Sequence, residues 1–256
     1  MAANFWASTH FRRWLLTKEE VTRRRRTGLR EPGDEEMEKI MRPHLVVYAQ
    51  ALGKRLHLLS RVTATAVVFI SRFYLSTRMR DADPRIIVPA AVYLAAKVEE
   101  MGHYKPQIVI DQAHRVTQSP ELASMAIKIE PTTLLANELL ILEQLSFELV
   151  IFHPHHDVDK YGNDAASPEL ASVAGTILND SLRSDVGLVY PPFIIALAAI
   201  YLAGIHCKVD LKPWFDHLNV NVAQVRQCVS DILEVYTNEA SFKAQLPQAC
   251  KVLLQQ

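Results

Sequence analysis

The segment AAVYLAAKVEE runs from small apolar residues into Lys97, Glu99 and Glu100. A lysine in the last turn of a helix suits the negative end of the macrodipole, whereas each glutamate there is unfavourable by about 0.3–1 kcal/mol. Charges placed against a local rule with no visible compensation mark a candidate site for binding another molecule. Other residue types with chemical potential are weaker. His153-Pro154-His155-His156-Asp157 offers imidazole and carboxylate ligands, but a metal site built on it needs further ligands that no spacing supplies, so the run reads as a loop and helix start and no metal is expected. Cys207, Cys228 and Cys250 are widely spaced with no CxxC, which predicts reduced, mostly buried thiols and neither disulfides nor zinc. Arg23 to Arg26 could serve as a nuclear address or a phosphate-binding patch, or simply end a solvated helix beside the acidic KEE.

The elements that must position these residues are helices. The 256 residues carry 28 Lys plus Arg against 28 Asp plus Glu. That balance argues against a chain whose main work is gripping nucleic-acid phosphates, and favours protein partners. No apolar run reaches the roughly 18–20 residues that cross a bilayer, and MAANFWASTHFRRWLL lacks the features of a secretory signal, so a helical protein that stays inside the cell is expected. VTATAVVFISRFY places Val62, Ala66, Phe69, Ile70, Phe73 and Tyr74 on one helix face; TTLLANELLILEQLSFEL does so with Leu135, Leu139, Leu142, Leu145 and Leu149, and VAQVRQCVSDILEVY with Val222, Val225, Val229 and Ile232. No stretch alternates with period two. Several prolines stand just before an apolar-periodic run, the first-turn position where a missing N–H costs nothing.

The chain also repeats itself. PRIIVPAAVYLAA (84–96) and PFIIALAAIYLAG (192–204) align without gaps at an offset of 108 residues with eight of thirteen positions identical. A similar helix precedes each copy, and a Leu- or Val-rich helix follows. Small residues on every face predict that each copy is the central helix of its own bundle. After the shared segment the copies diverge, Lys97-Val98-Glu99-Glu100 against Ile205-His206-Cys207-Lys208. What is shared should be fold, and the unshared charges are candidates for function.

Two helical repeats, an Ala-rich third helix ending K-x-E-E, and a Leu-rich fifth helix with an internal Glu resemble the cyclin family. MRPHLVVYAQALGKRLHL, VFISRFY and YLAAKVEE have the spacing of a first cyclin box, and NELLILEQLSFEL that of its closing helix. NFWASTHFRRWLLTKEE, FHPHHDV and YPPFIIALAAIYLA extend the likeness over nearly the whole chain, on the branch whose kinase belongs to the Mediator complex. The resemblance implies an all-α fold of two tandem five-helix cyclin boxes plus an N-terminal helix. The expected divisions are residues 1–34 for the N-terminal helix and linker, 35–150 and 151–240 for the boxes, and 241–256 for a C-terminal tail. It further implies a regulatory subunit of a cyclin-dependent kinase with no catalysis of its own, no cofactor, a nuclear location and other kinase-module subunits as partners. Lys97 and Glu138 match the family's pair that holds the kinase αC helix. Without that match Glu138 would read as an exposed charge on an amphipathic helix. Trp6, Glu99 and Asn179 are candidates for a second partner groove.

Two departures stand out. Arg42 matches one half of a buried ion pair of cell-cycle cyclins, but Ser71 occupies the other half, which favours the transcriptional branch. Pro43 removes a helix hydrogen bond unless a helix starts or kinks there. The rival reading is a two-repeat DNA-binding transcription factor of the TFIIB type, which would need a basic face and usually a zinc ribbon; zero net charge and the absence of CxxC oppose it.

Overall fold

The periodic segments fold as helices, and the computed structural model describes residues 4–28, 34–102, 104–164 and 168–254, with no strand among them. In chain order the helices are α1 (Thr9–Trp14), α2 (Lys18–Gly28), α3 (Asp34–Arg55), α4 (Ser60–Phe73), α5 (Pro84–Val98), α6 (Pro106–Val116), α7 (Pro131–Gln144), α8 (His155–Asp164), α9 (Pro168–Ser181), α10 (Val186–Val189), α11 (Pro192–Cys207), α12 (Lys212–Asp216) and α13 (Val222–Leu254). Proline occupies the first turn of α5, α6, α7 and α11, where its fixed φ is already helical and no donor is lost. The chain divides into two compact units, one of Thr17–Ile151 with Glu239–Gln256, the other of Met1–Leu16 with Phe152–Asn238.

In the first of these units α5 is the central helix. Every residue from Ile87 to Ala96 is buried, and α3, α4, α6 and α7 pack around it. Its alanines are what permit four neighbours, since a helix with small side chains lets others approach on all faces. The apolar face of α4 is buried from Val62 to Ile70, as its periodicity predicts. The loop from α4 to α5 is tied to the acidic first turns of α3: Arg80 Nε donates to Asp34 Oδ1 at 2.6 Å and the Met79 amide donates to Glu38 Oε1 at 3.1 Å. Burial pushes the Glu38 carboxyl above its ordinary range, opposed by the Met79 amide and by Arg42. Arg42, four residues after Glu38 on α3, contributes its positive charge to the field at that carboxyl. Pro43 lies inside α3, which begins nine residues earlier at Asp34, so the helix runs through the missing Pro43 N–H. His44, the next residue, is buried with its Nε2 donating to the Phe242 carbonyl at 3.0 Å. Residues 241–254, expected from sequence as a tail, are the last turns of α13; there Cys250 Sγ sits 3.8 Å from both Met41 Sδ and Met125 Sδ.

In the other unit the central helix is α11, buried continuously from Ile194 to Ile200 and packed on α8, α9 and α10. The N-terminal segment, expected as a helix and linker, is a 3-10 turn at Phe5–Ala7 followed by α1, whose N-cap Ser8 accepts from the Phe11 amide at 3.2 Å, and then by α2. His10 is buried, with Nδ1 accepting from the Phe152 amide at 3.1 Å, and the Leu16 amide donates to the Leu188 carbonyl at 2.8 Å.

Two backbone features recur in both units near the same offset as the sequence repeat. A Cβ on Gly53 of α3 would stand 2.3 Å from Thr63 Oγ1 of α4, and one on Gly162 of α8 would stand 2.5 Å from Ala171 Cβ of α9. In each unit, then, the first two helices of the repeat cross at a glycine. The ends of the central helices also match. Met101 N–H bonds to Ala96 O at 2.9 Å and Glu100 N–H to Lys97 O at 3.2 Å; Val209 N–H bonds to Gly204 O at 2.9 Å and Lys208 N–H to Ile205 O at 3.3 Å. These are Schellman caps. Glu100 and Lys208, 108 residues apart, hold the left-handed position at φ 55° and 58°. The side chains diverge where the backbone does not.

Candidate functional site

The end of α5 and the middle of α7 bring Lys97 and Glu138 together as an ion pair. The lysine side chain is 43% exposed and the carboxylate 8%. Lys97 Nζ also lies 4.5 Å from the centroid of the Tyr93 ring, one turn back on α5, a cation–π contact that holds the ammonium over the helix surface. Glu138 is thus not the exposed charge that amphipathicity alone suggests. It occupies the inward face of α7 with Leu134, Ile141 and Leu145, all buried.

This inward face corrects the sequence reading of α7. Leu135 and Leu139 share helical spacing and were expected to pack, yet they are 42% and 52% exposed. The stripe that packs runs one residue earlier through 134, 138 and 141, rejoins the expected stripe at Leu145, which is buried as expected, and contains a glutamate. The reason is that α7 carries leucine or isoleucine on more than one face, so periodicity alone cannot choose between the two stripes. Glu138, already paired with Lys97 by the resemblance, was the signal for the face: a stripe through 134, 138, 141 and 145 has proper helical spacing and is interrupted by one charge that Lys97 can meet. The result is a partly buried ion pair flanked along α7 by exposed leucines. Apolar contacts around a shielded polar pair are the composition of a protein-binding surface.

Glu99 has the compensation that its sequence context lacks. Thr65 Oγ1 donates to Glu99 Oε1 at 2.7 Å and Arg61 Nε stands 3.0 Å from Oε2, so this carboxylate ties the end of α5 to the start of α4. Glu100 is exposed at the left-handed cap position. Trp6, 54% exposed, packs edge-on against Phe5 and Phe11 and at 6.0 Å from Phe193 of α11. Asn179 is half-buried on α9. Trp6 and Asn179 belong to one unit and Glu99 to the other.

The arginine run reads as the paired end of α2. Arg23 and Arg24 bond to Glu20 Oε1 at 3.3 and 3.0 Å, Arg26 lies 3.6 Å from Glu35, and Arg25 contributes to the field at Glu38. The guanidinium of Arg24 holds the Glu20 carboxyl below its ordinary value. His153 and His155 contact each other edge-on at 5.6 Å, and among the described residues no group of three His, Cys, Asp or Glu could hold a metal ion.

An all-helical chain built of two repeats, each wrapped around an Ala-rich central helix, with Lys and Glu meeting at the end of the first, belongs to the cyclin family: the model of the cyclin N-terminal domain matches residues 12–150. More particularly, the chain is similar over its length to C-type cyclins. It is 31% identical to Cyclin-C1-2 of Arabidopsis thaliana over 244 residues, 94% of each chain. It is 32% identical to Cyclin-C of Rattus norvegicus over 245 residues, covering 94% of this chain and 86% of that one. Among solved structures, a chain of the yeast RNA Pol II CTD kinase CTDK-1 complex superposes with a TM-score of 0.71 at 20% identity, over 90% of this chain and 75% of that one, a likeness of fold.

Proposed function

We propose that this cyclin is the activating, non-catalytic subunit of a cyclin-dependent kinase of the Mediator class, acting in the nucleus on RNA polymerase II transcription. The observation that carries the reading is the Lys97–Glu138 pair beside the exposed Leu135 and Leu139, with Lys97 at the end of the central helix of its unit. A kinase is active only when its αC glutamate reaches the ATP-binding lysine, so a rigid surface that binds αC in that position shifts the kinase toward its active state. Lys97 supplies donors for carbonyls at a helix end, Glu138 supplies acceptors, and the leucines cover the apolar side of the kinase helix. Similarity to C-type cyclins over 94% of this chain supports the Mediator assignment. Trp6, Glu99 and Asn179 are retained as candidate contacts for another subunit of the kinase module.

The test is to isolate the kinase that co-purifies with the chain and to measure its affinity and activity with Lys97→Ala, Glu138→Ala and Leu139→Asp. A loss of about tenfold or more in affinity, ~1.4 kcal/mol, is expected for each. Wild-type affinity and activation with all three would overturn the interface. Salt-dependent binding of the purified chain to duplex DNA would favour the TFIIB-like reading instead.

A further inference from the structure

The kinase-binding reading leaves the arginine run of α2 without a use, and that run ends on a hydroxyl. Arg24-Arg25-Arg26-Thr27 sets guanidinium groups three and two residues before Thr27. We propose that Thr27 is a phosphorylation site for a basophilic protein kinase, and that the phosphate detaches the end of α2 from the first turn of α3.

Recognition follows from charge chemistry. The peptide groove of a basophilic kinase presents carboxylates that bind arginines by paired, charge-assisted hydrogen bonds. Thr27 has its arginines at the required positions, whereas Thr22 on the same helix has Glu19 and Glu20 there and would be repelled. Thr27 is exposed in the last turn of α2, where its Oγ1 donates to the Arg23 carbonyl at 2.8 Å. A kinase reads its substrate as an extended strand, so this last turn must open. α2 is built to allow it: the helix has eleven residues, fewer than an isolated helix needs, and Val21 is the one apolar side chain it buries. The pairs of Arg23 and Arg24 with Glu20 lie on its surface and yield readily to a partner's carboxylates.

The transfer is balanced by ATP. The bond from its γ-phosphorus to the bridging oxygen of ADP breaks, the bond to Thr27 Oγ1 forms, and the hydroxyl proton passes to the kinase's catalytic carboxylate. The product places a charge of about −2 at the negative end of the α2 macrodipole, where it is disfavoured. It also opens onto a shallow depression of about 660 Å³ lined by Lys18, Glu19, Thr22, Arg23, Arg26 and Thr27. There it competes for Arg26, whose pairing with Glu35 at 3.6 Å links α2 to α3.

The experiment incubates the full-length chain with ATP and the catalytic subunit of cyclic-AMP-dependent protein kinase, maps phosphate by mass spectrometry, and measures amide hydrogen exchange in α2. Phosphate is expected on Thr27, abolished by Thr27→Ala, slowed about tenfold or more by Arg24→Ala or Arg25→Ala, and unaffected by Thr22→Ala. The phosphorylated chain is expected to exchange its α2 amides faster. Labelling elsewhere in the chain, or labelling of a peptide of residues 18–33 but not of the folded protein, overturns the site. Unchanged exchange in the stoichiometrically labelled chain overturns the detachment.

Discussion

Lys97 and Glu138 pair with each other across α5 and α7, the lysine half in water and the carboxylate within the packed face of its helix. The arrangement is asymmetric in energy as well as in burial. An exposed lysine released from its partner is simply hydrated, but a buried carboxylate released from its cation keeps its desolvation cost. The second unit shows what the alternative looks like: Ile205 stands at the position of Lys97, with no charge to satisfy. The first unit therefore carries an ion pair that folding of a central helix does not require.

Lys97→Ala is expected to destabilise the free protein by about 1–3 kcal/mol, because it strands the Glu138 charge. Glu138→Gln should cost less, and in the Lys97→Ala background it should recover part of the loss. Chemical denaturation of the two single variants and the double variant measures the coupling directly. Additive effects would show that the pair contributes nothing to stability.

Glu99 is expected to matter for stability rather than as a free surface charge. Glu99→Ala removes the acceptor of Thr65 Oγ1 and the partner of Arg61, and a loss of about 1.5–3 kcal/mol follows from one hydrogen bond to a charged group. Thr65→Val should cost a similar amount, and the double variant little more than either. Thermal melts of the three proteins check this.

The pH dependence contributed by Glu38 has a definite sign. Its folded value is raised above 4.5 by burial, so between 4.5 and that raised value the folded chain binds more protons than the unfolded one. Its contribution to stability is fully present below the unfolded value and is lost as pH rises through the folded value. Glu38→Gln keeps an oxygen for the Met79 amide and removes the titration. The variant should gain stability relative to the native chain between about pH 4 and pH 7, as read by urea unfolding at both ends.

Gly162→Ala is expected to destabilise by about 1–3 kcal/mol even though alanine favours a helix by ~1 kcal/mol. The added Cβ would meet Ala171 Cβ at 2.5 Å and its Cα at 3.0 Å, and neither can rotate away. Gly53→Ala should cost less, since its nearest contact is the Thr63 hydroxyl. Paired denaturation curves distinguish the two crossings.

Much of this architecture was legible because it is written in local pattern. The offset of 108 between PRIIVPAAVYLAA and PFIIALAAIYLAG located both central helices, and the Schellman caps and glycine crossings extend the same repeat into the backbone. The prolines at helix starts were equally readable, since their effect on φ and on the missing donor is local. The face of α7 was not. Leu135 and Leu139 have the spacing of a packing stripe, and only the position of α5 beside α7 turns them outward and brings Glu138 in. The compensation for Glu99 was hidden for the same reason, since its partners Thr65 and Arg61 lie more than thirty residues away in the chain.

By itself the sequence determined the helical class, the twofold repetition and the residues that set the first central helix apart from the second. These depend on periodicity, small side chains and backbone restriction, which act over a few residues. The tertiary structure decided which charges are buried, which leucines are free and which glutamate is already occupied. Those outcomes depend on what stands opposite each side chain, and contacts between helices distant in sequence are fixed only when the bundle closes.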